Sequence, residues 1–198
     1  MKNILFVLVA LFSLALNSAS AQNQVYKKGN INASVGVGLL PTFLAGNGEV
    51  NMIPVNIKVG YNVTDNYNVN LYTGFSSATS AAVKDHNGNM RDYENNFLMI
   101  GLRNELHAVK SEKFDIYGGF MVGYNKSFIK ETIYEVNTPE EDIDAPSKVQ
   151  PTKHRPEGSK VLLSGFVGGT YFVTPKLGVY GEIGYGVSLV SLGATFKL

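Results

Sequence analysis

Apolar residues recur at every second position through most of this chain. Near its end, Val190, Leu192, Ala194, Phe196 and Leu198 share one parity, and Ser191, Gly193, Thr195 and Lys197 share the other. A period of two marks a strand lying between two unlike environments. The pattern returns in 30–40, where Ile31, Ala33, Val35, Val37 and Leu39 alternate with Asn32, Ser34, Gly36 and Gly38. It returns again in 53–63 and 67–75, and less cleanly in 97–106, 114–128, 161–173 and 177–185. With 190–198 these segments predict eight strands.

Connection lengths and charge orient the strands. The links 64–66, 107–113 and 174–176 are short, whereas 41–51, 76–92 and 129–159 are longer. Short turns at one end and long loops at the other are the asymmetry of a membrane barrel with periplasmic turns and extracellular loops. The Asn87-Gly88 dipeptide favours a hairpin tip, so the sheet is expected to continue on both sides of it. In 97–106, an arginine facing lipid at mid-depth would cost about 2–4 kcal/mol. Arg103 and Glu105 therefore point inward, and Leu98, Ile100, Leu102 and Leu106 point outward. On this path Tyr61, Tyr67, Phe114, Tyr171 and Phe196 fall near the inner rim, and Phe75, Tyr124, Phe128 and Tyr185 near the outer rim. These are two interfacial girdles. The fold expected is an all-β, eight-stranded antiparallel up-and-down transmembrane β-barrel.

The N-terminus adds a destination. Residues 1–21 combine Lys2, an apolar run and the small-residue motif Ala19-Ser20-Ala21, the pattern of a cleaved signal peptide. The expected organisation is a signal at 1–21 and one barrel domain at 22–198. Cleavage removes Lys2 and leaves 16 basic against 16 acidic residues, which argues against a nucleic-acid partner. The chain has no cysteine, so it can form no disulfide. No segment after the signal is apolar for long enough to cross a membrane as a helix.

The signal, Tyr117-Gly118-Gly119, the run Gly178-Val179-Tyr180-Gly181-Glu182-Ile183-Gly184-Tyr185-Gly186 and the alternating end from Gly193 carry a resemblance. The chain resembles the small eight-stranded outer-membrane barrels of the OmpX and OmpA-membrane-domain type. It is most similar to the outer-membrane β-barrel, or porin-like, family of Bacteroidetes-type bacteria. The resemblance implies residence in the cell outer membrane, contact with outer-membrane lipid and lipopolysaccharide, and insertion by the barrel-assembly machinery. That family ends on an aromatic residue, whereas here Leu198 is last and Phe196 stands two before it.

Chemistry-bearing residues are few. Lys58, Arg103, Glu105 and Glu182 should form a lumen charge cluster, with Arg103–Glu182 as its central pair; Lys160 and Lys197 are further inward candidates. Eight strands leave an interior just wide enough for side chains, and Tyr72, Tyr117, Phe166 and Tyr180 also point into it. A packed, salt-bridged plug is therefore expected rather than a channel. Glu140, Glu141, Asp142 and Asp144 form an acidic patch in an outer loop, with no glycine to shape a calcium turn, and read as a solvated surface. His86 and His154 fall in outer loops and His107 in the turn 107–113. None lies on a strand beside a serine and a carboxylate, the constellation an outer-membrane lipid-modifying enzyme would need. The expectation is a non-enzymatic protein without cofactor or metal, with a structural or surface-interaction role through its outer loops. The alternatives are a narrow channel or small-solute barrel and a soluble lipocalin-like barrel, whose faces would be inverted.

Overall fold

The structure, a computed structural model, describes residues 27–42, 48–80, 82–84, 90–110, 113–134, 148–149 and 159–198. The signal segment 1–21, the Asn87-Gly88 tip, His86, His154 and the acidic patch Glu140, Glu141, Asp142 and Asp144 lie outside the described residues. Every regular element described is a strand: β1 (Ile31–Gly38), β2 (Glu49–Asn62), β3 (Tyr67–Thr79), β4 (Val83–Lys84), β5 (Met90–Lys110), β6 (Phe114–Tyr134), β7 (Lys148–Val149), β8 (Ser159–Phe172), β9 (Leu177–Gly184) and β10 (Val190–Lys197).

The eight long strands close into one antiparallel barrel in which each pairs with its neighbour in sequence. β5 pairs with β6 between the two arms of the sheet, and β1 pairs with β10 from Asn32↔Lys197 to Gly38↔Ser191. The two-residue strands β4 and β7 only extend β5 and β6 at their outer ends. Closure leaves the ladder without an edge, which is what a sheet in hydrocarbon requires.

Alternation sets which side faces what. Leu71, Leu102, Leu106, Leu163 and Ile183 are each more than half exposed, whereas Asn32, Asn56, Asn62, Asn68 and Asn70 on the opposite parity are 5% exposed or less. A continuous apolar exterior around a polar interior inverts the order of a soluble protein, and only lipid satisfies it. That inversion disposes of the lipocalin-like alternative. Asn104, the polar residue on the outward parity of β5, accepts a hydrogen bond from the Tyr67 hydroxyl near the inner rim.

Strands outrun their expected bounds at the outer end. β3 continues to Thr79, β5 begins at Met90 and β6 reaches Tyr134, so the loops read as 76–92 and 129–159 are partly sheet. Here both faces carry polar residues: Lys130 is exposed on one, and Glu131 is buried against Arg91 on the other. The period-two signal fades while the ladder goes on. The inner turns 64–66 and 174–176 follow their expected places and share one design, whereas the expected turn 107–113 is strand as far as Lys110. Val63 and Thr64 donate backbone N–H groups to Tyr67 O, and Val173 and Thr174 do the same to Leu177 O. In each, the threonine hydroxyl accepts from the N–H groups two and three residues on. A threonine that bonds its own turn fixes the reversal locally.

The lumen is filled from wall to wall. Tyr180 lies across Gly36 and Gly193, and a Cβ at Gly193 would stand 2.6 Å from its ring. In the outer half Tyr72, Phe97, Met99, Met121 and Val187 form an apolar cluster against which Leu162 and Phe166 pack. The inner half is polar. The hydrophilic plug expected from the sequence thus occupies part of the barrel, and hydrocarbon side chains seal the rest. At Gly36 an added methyl would meet the Tyr180 hydroxyl and the Asn56 amide. Gly36→Ala should lower stability by about 1–3 kcal/mol through overpacking, and Tyr180→Phe should recover part of that loss. Urea unfolding from detergent micelles measures both; loss of stability that is purely additive in the double variant would contradict this packing.

Candidate functional site

Five strands deliver one cluster. Lys58 comes from β2, Arg103 and Glu105 from β5, Tyr117 from β6, Phe166 from β8, and Tyr180 and Glu182 from β9. Arg103 holds Glu182 with two parallel bonds, Nη1 to Oε1 at 2.9 Å and Nη2 to Oε2 at 2.7 Å. This planar fork is the geometry guanidinium groups favour with carboxylates. Lys58 Nζ also donates to Glu182 Oε2 at 3.2 Å, and the Tyr117 hydroxyl reaches the same oxygen at 3.3 Å. Glu105 Oε1 lies 3.3 Å from Arg103 Nε, an ion contact without hydrogen-bond alignment. Aromatic faces complete the shell: the guanidinium carbon of Arg103 sits 3.5 Å from the Phe166 ring centre and Lys58 Nζ 4.0 Å from that of Tyr180. The structure therefore brings all four lumen residues, Lys58, Arg103, Glu105 and Glu182, into one contact group.

A second group lies toward the inner end. His107 Nδ1 is 2.9 Å from Asp115 Oδ2, both side chains are buried, and the His107 ring tilts against Tyr117. Lys197 is buried over the Phe172 ring at 3.7 Å. The sequence reading placed His107 in the 107–113 turn, but β5 runs on to Lys110 and turns His107 inward opposite Tyr117. The signal was present in the parity 103, 105, 107. Asp115 escaped notice because 114–128 was read for its apolar parity alone. Lys160 also departs from expectation: it has inward parity but stands exposed at the outer rim, where β8 begins. Among the described lumen residues, Lys58, Arg103 and Lys197 face Glu105, Asp115 and Glu182, and buried Glu131 near the outer end pairs with Arg91.

Little room remains. The space bounded by Asn32, Ser34, Lys58, Asn70, Glu105 and Tyr117 amounts to about 10 Å³ for water centres, about one water. The outer mouth is stopped by the connection between β9 and β10, which folds inward. Val187 is wholly buried; its N–H meets the Tyr72 hydroxyl and its carbonyl accepts from Thr42 N. The Ser188 hydroxyl accepts from Leu40 N and lies 2.8 Å from Leu40 O, pinning the tip to the end of β1. Nothing in the sequence marks this single valine between a glycine and a serine as a stopper. Among the described residues, no group of three or more His, Asp or Glu is placed to hold a metal.

No family model matches the sequence, and no curated protein matches it. Solved structures do. The outer membrane protein OprG of Pseudomonas aeruginosa has 11% identity and a TM-score of 0.53, covering 89% of this chain and 99% of that one. The attachment invasion locus protein Ail of Yersinia pestis, in complex with the heparin analogue sucrose octasulfate, has 14% identity and a TM-score of 0.45, covering 86% and 99%. A de novo designed transmembrane β-barrel has 18% identity and a TM-score of 0.47, covering 87% and 98%. What the chain shares with OprG at that identity is the fold, a small transmembrane β-barrel.

Removing Glu182 while keeping its cations is the sharpest perturbation of the cluster. Glu182→Gln should destabilise the barrel by about 3–5 kcal/mol, because two buried cations lose their shared anion. Lys58→Met should cost less, since Arg103 still neutralises Glu182. Urea unfolding from phospholipid vesicles gives the order, and equal costs would refute the bridging role of Glu182.

Proposed function

We propose that this chain is an integral protein of the cell outer membrane with a structural or surface-interaction role, non-conducting and non-enzymatic. The observation that carries the reading is the sealed outer mouth, where Val187 seats among Tyr72, Phe97, Met99 and Met121. A conduit needs a continuous wet path, and the lumen charges here are spent on one another rather than on solute. The His107 ring is joined to Asp115 through Nδ1 in a packed interior remote from the lipid face. That placement supports a holding role rather than catalysis.

On this reading the partners are outer-membrane lipid and lipopolysaccharide along the belt, the barrel-assembly machinery during insertion, and a surface ligand at the outer loops. The Gly178–Gly186 and Gly193–Leu198 runs support placing the chain among the OmpX-like or Bacteroidetes-type porin-like barrels. The polar inner half of the lumen favours the second reading, a narrow channel or solute-binding barrel. Purified protein in planar bilayers separates the two. The expected result is no steady conductance, even in Val187→Gly, where the Arg103–Glu182 cluster still fills the middle of the lumen. Steady wild-type openings that shift when Arg103 or Glu182 is neutralised would establish the channel instead.

A further inference from the structure

We propose that the lumen binds one ordered water, held between the Asn70 amide and the Glu105 carboxylate. The two side chains come from paired strands. Asn70 of β3 stands opposite Arg103 of β5, and Glu105 lies two residues further along β5, so the pair are diagonal neighbours on the lumen face. Gly60 of β2 stands between Asn70 and Asn32 of β1. With no side chain there, both amides lean over it: a Cβ on Gly60 would lie 2.1 Å from Asn70 Oδ1 and 2.5 Å from Asn32 Oδ1. Asn70 thus turns its oxygen toward Gly60. Its Nδ2 group meets no acceptor among the described residues, although the residue is only 2% exposed. Buried Glu105 has the matching deficit. Arg103 Nε approaches its Oε1 at 3.3 Å without bond alignment, and no other donor among the described residues meets that oxygen.

Asn70 and Glu105 both line the space of about 10 Å³ for water centres, which has room for one water and no more. Chemistry selects water among occupants of that size. A cation would meet the amide hydrogens of Asn70 and share the space with Lys58, and an anion would meet Glu105. The charges of Lys58, Arg103, Glu105 and Glu182 already cancel within one contact group, and a buried ion added to them would stand uncompensated. A neutral molecule that both donates and accepts suits this wall. Buried waters make about three hydrogen bonds. Here one is accepted from Asn70 Nδ2 and one donated to Glu105 Oε1. The second hydrogen is left for the lining Ser34 hydroxyl, whose own hydrogen goes to Thr195 Oγ1 at 2.8 Å. The water then gives Glu105 the aligned partner that Arg103 does not.

Crystals of the full mature protein grown from lipid bicelles, at a resolution that shows ordered solvent, test the site directly. One density peak within hydrogen-bond reach of both Asn70 Nδ2 and Glu105 Oε1 is expected. Asn70→Leu should lose that peak as its side chain fills the space, and the wild-type density decides alone if this variant does not insert. In micelles, the Asn70 side-chain amide protons should show a cross-relaxation peak at the water frequency. A direct bond from Asn70 to Glu105 or to Asn32 with nothing between would overturn the proposal. So would thermal stability that rises in sodium chloride over choline chloride at equal ionic strength, because a bound cation stabilises by mass action and a water does not.

Discussion

Backbone hydrogen bonding in hydrocarbon is the constraint on which everything else here depends. An amide left without a partner in a bilayer costs several kcal/mol, so the ladder must return to its start. The pairing of β1 with β10 meets that demand. It also fixes a barrel of eight strands and hence an interior only as wide as its side chains. Each later feature helps to fill that narrow space and to pair most of its polar groups. Tyrosines lie over inward glycines, asparagines bond across strands, and the Asn68 amide bonds Asn62.

The lumen solves its charge problem and its volume problem at different heights. Mid-depth and inner positions use polar pairing, with Glu182 shared by two cations and Asp115 in contact with His107 Nδ1. The outer half uses hydrocarbon, with Val187 supplied by a chain reversal rather than by a strand. A barrel closed by hydrophobic packing at one end and by ionic pairing in the middle has no common wet axis. This division favours a scaffold over a conduit.

How much of this was legible depends on where alternation survives. Within the belt each strand meets lipid on one side and the lumen on the other, so parity together with the cost of a charge in lipid placed Arg103, Glu105, Lys58 and Glu182 inward. Their common contact required only that inward residues of similar depth meet across a narrow interior. Above the belt both faces of the sheet carry polar residues, and the ladder through Lys130, Glu131 and Thr132 left no periodic trace. Val187 was illegible for a different reason, because a residue in a tip has no period at all. The His107–Asp115 pair depends on the β5–β6 register, which no property of either residue announces. Lys160 has the parity of a lumen residue but lies past the rim, showing that parity gives direction and not depth.

The sharing of Glu182 has a consequence for the order in which the barrel can assemble. Its partners Arg103 and Lys58 lie 79 and 124 positions away in the chain. Until β9 reaches its place, the nascent sheet carries two cations facing a space destined to be dry, with only Glu105 nearby to offset them. Neutrality of the lumen therefore depends on β9: the charges of Lys58 and Arg103 are met by Glu182 only where strands from distant parts of the chain stand together.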